Sequence, residues 1–78
     1  MMNKVLLFAH LQEAAGKDHL FIQAAGLSVK ELRNSLENET RLSSLQNVMI
    51  AINENYATDE DIIEENDVIA LIPPVSGG

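Results

Sequence analysis

Apolar residues arrive along this chain in short bursts separated by polar turns. Val5-Leu6-Leu7-Phe8-Ala9 is apolar at every position and predicts a strand buried on both faces. Ala14-Ala15-Gly16-Lys17-Asp18 reads as a turn, and His19-Leu20-Phe21-Ile22 as a second strand that completes a hairpin. Ser28-Val29-Lys30-Glu31 has the form of a capping box: the Ser28 hydroxyl accepts from the Glu31 amide, and the Glu31 carboxylate reaches back to the Ser28 amide. Leu27 and Leu32 occupy the hydrophobic-staple positions around that cap. A helix over residues 29–38 follows, with Val29, Leu32 and Leu36 on one face.

Val48-Met49-Ile50-Ala51-Ile52 predicts a third strand, ended by the polar turn Asn53-Glu54-Asn55. Tyr56-Ala57 reads as a short returning strand, and Ile62 and Ile63 tuck the acidic stretch 59–67 onto the core. Val68-Ile69-Ala70-Leu71-Ile72 is the last strand, stopped by Pro73-Pro74, which cannot donate to a ladder. Strand, strand, helix, strand, short strand, strand is the order of an α+β fold of the β-grasp (ubiquitin-like) kind: a mixed sheet with one main helix packed on one face, its last strand beside its first.

One short helix covers one face of such a sheet. Alternation places Val5, Leu7 and Ala9 on one side of the first strand and Leu6 and Phe8 on the other; in the last strand Ile69 and Leu71 oppose Val68, Ala70 and Ile72. The uncovered side is therefore an apolar patch, which points to a partner interface unless a loop such as the 37–46 connection lies over it. Phe8 and Ile72, with Tyr56 nearby, are the expected centre of that patch.

At 78 residues the chain allows one domain. The expected division is a β-grasp body over 1–73 and a flexible tail over 74–78. There is no cysteine, which excludes a disulfide scaffold, a thiolate metal site and a cysteine nucleophile. No apolar run approaches the ~20 residues that cross a bilayer, and no secretory signal is evident, so a soluble, cytoplasmic protein is expected. Residues 1–41 balance five basic against five acidic side chains, whereas residues 42–78 carry seven acidic and no basic ones. Such a surface repels phosphate backbones and anionic lipid, so neither nucleic acid nor membrane is an expected partner.

Side-chain chemistry offers no catalytic set. His10 and His19 fall in neighbouring strands without a third ligand and make a poor metal site. The acidic stretch lacks the glycine and ligand spacing of a calcium loop. Ser43, Ser44 and Ser76 have no evident base, Lys4 and Lys30 no desolvating surroundings, and the Asn38-Glu39-Thr40 sequon lacks a secretory context. No bound cofactor or metal is expected.

The unusual segment is the end, Pro73-Pro74-Val75-Ser76-Gly77-Gly78. From residue 68 onward no side chain is ionisable, so the segment can enter a closed pocket without desolvating a charge. Two prolines favour an extended exit, and two glycines permit a narrow passage. The group so delivered is the Gly78 carboxylate.

With Lys4-Val5-Leu6-Leu7-Phe8-Ala9, residues 48–53 and the terminal Pro-Pro-Val-Ser-Gly-Gly, the whole chain resembles the small, sulfur-carrier subunit of molybdopterin synthase (the MoaD type), a ubiquitin-like β-grasp family. That resemblance implies a non-catalytic subunit of molybdenum cofactor biosynthesis. An E1-like adenylyltransferase uses ATP to adenylate Gly78, and a sulfur donor converts it to a thiocarboxylate. Pro73, Pro74, Val75, Ser76 and Gly77 insert into the large, catalytic subunit, where sulfur passes to cyclic pyranopterin monophosphate. Phe8, Tyr56 and Ile72 then face that large subunit, and the assembly is a heterotetramer. A thiamine-pathway-type carrier and a ubiquitin-like protein modifier share the fold and the Gly-Gly end, and are the alternatives.

Overall fold

The computed structural model describes residues 2–39 and 45–74. Its elements run β1 (Asn3–Leu7), α1 (His10–Ala15), β2 (His19–Ile22), α2 (Val29–Glu39), β3 (Met49–Ile52), β4 (Asn55–Tyr56) and β5 (Val68–Ile72). The strands form one mixed sheet in the order β2-β1-β5-β3-β4. β1 pairs antiparallel with β2 and parallel with β5, and β5 pairs antiparallel with β3. The last strand thus lies beside the first, and both are interior strands, as their two-sided apolar character requires.

α2 forms where the capping box places it. The Ser28 amide donates to Glu31 Oε1 at 2.9 Å and the Glu31 amide to Ser28 Oγ at 3.1 Å. The first two helical amides are also satisfied: Val29 N–H donates to the Asp61 carbonyl and Lys30 N–H to the Asp59 carbonyl. The acidic stretch therefore closes the N-terminus of α2, where negative charge is favoured by the helix dipole. Its two isoleucines part company: Ile63 is fully buried, but Ile62 is exposed.

Val29, Leu32 and Leu36 of α2 join Val5, Leu7, Ile50, Ile69 and Leu71 of the sheet in a single buried cluster, with Leu11, Leu45 and Ile63 at its margins. The connection leaving α2 stays on the helix side where it is described. Arg33 Nη1 donates to the Leu45 and Val48 carbonyls, and the Leu45 amide donates to Glu37 Oε2. Residues 40–44 of that connection lie outside the described residues.

Two expectations fail near the start of the chain. β1 ends at Leu7 rather than residue 9, and residues 10–15 form a helix, α1, whose last two residues overlap the expected Ala14–Asp18 turn. His10 is therefore the first residue of α1 and not a strand residue. The physical reason is Leu11, which is 1% exposed and anchors the short helix to the core. Gly16 ends it in the left-handed conformation, φ 76°, with its N–H donating to the Gln12 carbonyl.

A further feature escapes periodicity altogether. Asn3 is the one fully buried polar residue among those described. Its Nδ2 donates to the Glu64 and Asp67 carbonyls, both at 3.0 Å, and its Oδ1 accepts from the Ala24 amide at 3.2 Å. One side chain thus ties β1 to the segment after β2 and to the approach to β5. Asn3→Ala should destabilise the fold by about 2–4 kcal/mol, because it orphans the buried Ala24 amide and two part-buried carbonyls. Ser28→Ala should cost about 1 kcal/mol through the lost cap. Urea unfolding midpoints measure both, and equal losses would contradict this ranking.

Candidate functional site

Among the described residues, no helix lies over the face of the sheet opposite α2. The strand register builds one row across it: Tyr56 of β4 pairs with Ala51 of β3, Ala51 with Ala70 of β5, and Ala70 with Leu6 of β1. Two alanines between larger side chains leave a depression. Phe8 and Ile72 border it toward the C-terminal end of β5, and Val68, Asn53 and Glu54 toward the other. The result is an open groove of about 650 Å³, and Glu54 is the sole charged residue among the described residues lining it.

Phe8, Tyr56 and Ile72 all line this groove, so the structure brings together the three residues singled out from sequence. Tyr56 is 69% exposed and Phe8 46% exposed, while Leu7, next to Phe8 in the chain, is 2% exposed. Large apolar side chains held in solvent on one sheet face are the features of an interaction surface. Pro73 is half-buried and Pro74 exposed at the exit from β5. Val75, Ser76, Gly77 and Gly78 lie outside the described residues. Sequence reasoning missed the two-alanine floor and the flanking Asn53 and Glu54. Only the pairing of Ala51 with Ala70 reveals the floor, and sequence alone does not give that register.

Among the described residues, no group of three or more histidine, aspartate or glutamate side chains could hold a metal ion. His10 is exposed on α1, and His19 sits at the start of β2, so the two histidines are on different elements. His19 Nδ1 lies 2.6 Å from Asp18 Oδ1, and its ring meets Phe21 edge-on with centroids 5.3 Å apart. The hydrogen bond from His19 holds the Asp18 carboxyl below its ordinary value. No helix among the described residues is long and apolar enough to cross a membrane.

Comparison with known proteins places this architecture. A family model described as the ThiS family matches residues 5–78. The molybdopterin synthase sulfur carrier subunit of Dictyostelium discoideum is 42% identical over 81 residues, covering 96% of this chain and 94% of that one. The chain belongs to the ThiS family, among the sulfur carrier subunits of molybdopterin synthase. The corresponding Arabidopsis thaliana subunit is 36% identical over 80 residues, covering 96% of this chain and 81% of its own.

Solved structures agree on the ubiquitin-like β-grasp fold. The complex of subunits 1 and 2 of molybdopterin-converting factor from Helicobacter pylori 26695 contains a chain 32% identical to this one, with TM-score 0.71 and full coverage of both. Small archaeal modifier protein 1 of Haloferax volcanii superposes with TM-score 0.83 at 25% identity, again covering both chains fully.

Two outcomes follow from the site geometry. Phe8→Asp should leave cooperative urea unfolding near the wild-type midpoint, because the residue faces solvent; loss of the transition would place Phe8 in the core. An NMR titration should find Asp18 ionising below the ordinary carboxylate range and returning to it in His19→Ala. Because its folded value is depressed, whatever stability the pair adds is present above the unfolded value and fades as pH falls through the folded one.

Proposed function

We propose that this chain is a sulfur carrier of molybdenum cofactor biosynthesis whose working group is the Gly78 carboxylate. The observation that carries the reading is its 42% identity, over nearly its whole length, to a molybdopterin synthase sulfur carrier subunit. The groove supplies the second half of the role. It fits a partner surface, and the related Helicobacter pylori chain is seen in complex with its subunit 2.

The chemistry divides between partners. An ionised carboxylate does not exchange oxygen for sulfur, because oxide is a poor leaving group. In the proposed sequence an E1-like adenylyltransferase joins the Gly78 carboxylate to the α-phosphate of ATP, and pyrophosphate departs. A sulfide equivalent then attacks the acyl carbon and AMP leaves, giving the thiocarboxylate. Its sulfur is ionised at neutral pH and is a soft nucleophile. Phe8, Tyr56 and Ile72 meet the large subunit while residues 73–77 lead Gly78 into that subunit's site, where sulfur passes to cyclic pyranopterin monophosphate. The carrier contributes no acid, base or metal to these steps, in keeping with its side-chain inventory.

Reach is the critical requirement, since reacting atoms must approach to about 3–3.5 Å. The test is to incubate purified wild type, a form extended by one alanine after Gly78, and Gly77→Val with the activating enzyme, ATP and sulfide. Intact mass should show one oxygen-to-sulfur exchange in wild type alone. The extension displaces the carboxylate, and the β-branched side chain restricts the backbone and widens the tail. Sulfuration of the extended form, with molybdopterin still produced, would overturn the reading. The likeness to small archaeal modifier protein 1 favours a second reading, attachment to lysines of other proteins. Isopeptide-linked adducts in native cells, without a thiocarboxylate form, would support it instead.

A further inference from the structure

Four described residues other than glycine hold positive φ: Ala9, Asn53, Glu54 and Asn66. Asparagine tolerates that region, and Asn53 has a local reason to be there. Its Nδ2 donates to Asp67 Oδ1 and its Oδ1 accepts from the Val68 amide, which locks the start of β5 to the β3–β4 turn. Ala9 and Glu54 have no such reason.

Asn53 and Glu54 form the two-residue loop between paired Ile52 and Asn55, with φ 51° and 73°. Two positive values in a two-residue hairpin are the type I′ pattern, whose preferred sequence is Asn-Gly. This chain has the asparagine but places glutamate where glycine costs less. Ala9 repeats the theme: φ 52° and ψ −130°, first central residue of a turn closed by the Leu11 amide donating to the Phe8 carbonyl at 3.1 Å. Those are type II′ angles, again a glycine position. Both turns border the same groove, one through Phe8 and the other through Glu54 itself. Backbone strain that the fold does not need collects at functional surfaces.

Glu54 is exposed, and no hydrogen bond or ion pair holds its carboxylate to another described residue. Among the described residues lining the groove it is the one charge, and residues 42–78 contain no basic side chain to neutralise it. We propose that Glu54 is a partner-recognition residue, receiving a lysine or arginine side chain of the large subunit at the rim of the apolar groove. The inference rests on the groove being the docking surface proposed above, and adds the chemistry that the partner must present there. A lone carboxylate beside an apolar centre selects a complementary cation and speeds encounter, and salt weakens that effect.

The test measures association of the full chain with purified large subunit, at low and physiological salt, together with melting temperature. Glu54→Gln should slow association several-fold at low salt, with the deficit shrinking as salt rises. Glu54→Gly should do the same while raising the melting temperature, since it completes the Asn-Gly turn. Glu60→Gln removes a charge of the same sign beside Asp59, whose carbonyl accepts from the Lys30 amide at the α2 N-terminus; it should leave association unchanged and, unlike Glu54→Gly, should not raise the melting temperature. Wild-type association by Glu54→Gln, or an equal deficit in Glu60→Gln, would overturn the proposal. An unchanged or lowered melting temperature in Glu54→Gly would overturn its strain premise. Wild-type binding by Phe8→Asp would reject the docking surface itself, and this inference with it.

Discussion

Leu7 and Phe8 are neighbours in the chain, yet one is in the core and the other faces solvent. The separation follows from a constraint that governs the rest of the molecule. Its sheet has five strands, its interior strands carry apolar residues on both faces, and among the described residues only one helix is long enough to cover a face. α2 closes one side with Val29, Leu32 and Leu36. Among the described residues the other side is apolar and open, and an exposed apolar patch of that kind is the usual mark of an interaction surface.

The folding resources concentrate on the covered side. Capping box, closing acidic segment, Asn3 clamp and the Arg33 contacts all orient α2 or anchor segments beneath it. On the open side the chain accepts local disadvantage, with two alanines that leave a depression, exposed aromatic side chains and two turn positions where glycine would cost less. That division matches the roles assigned to the two sides, stability on one and recognition on the other. In the proposed function the reactive group is a backbone carboxylate, and the fold's task is to present it to two enzymes in turn.

Much of this was legible in the sequence because it is local or strictly periodic. Ser28 and Glu31 announce α2 within three residues, and alternation along residues 5–8 and in β5 separates Val5, Leu7, Ile69 and Leu71 from Leu6, Phe8, Ala70 and Ile72. α1 escaped because six residues with a single buried leucine show no period, so the Ala-Ala-Gly that ends the helix reads as a turn. Asn3 escaped because its partners lie 21, 61 and 64 positions away. The β3–β4 turn was visible as a turn, but its type was hidden by the glutamate standing where glycine would have declared it.

The central claim is that the face opposite α2 is the one a partner covers. Amide hydrogen exchange of the full chain, with and without purified large subunit, tests it directly. The account predicts added protection in the groove-lining segments around Phe8, Tyr56 and Ile72, with the α2 amides unchanged. Protection gathered on α2, with the groove segments unaffected, would contradict it.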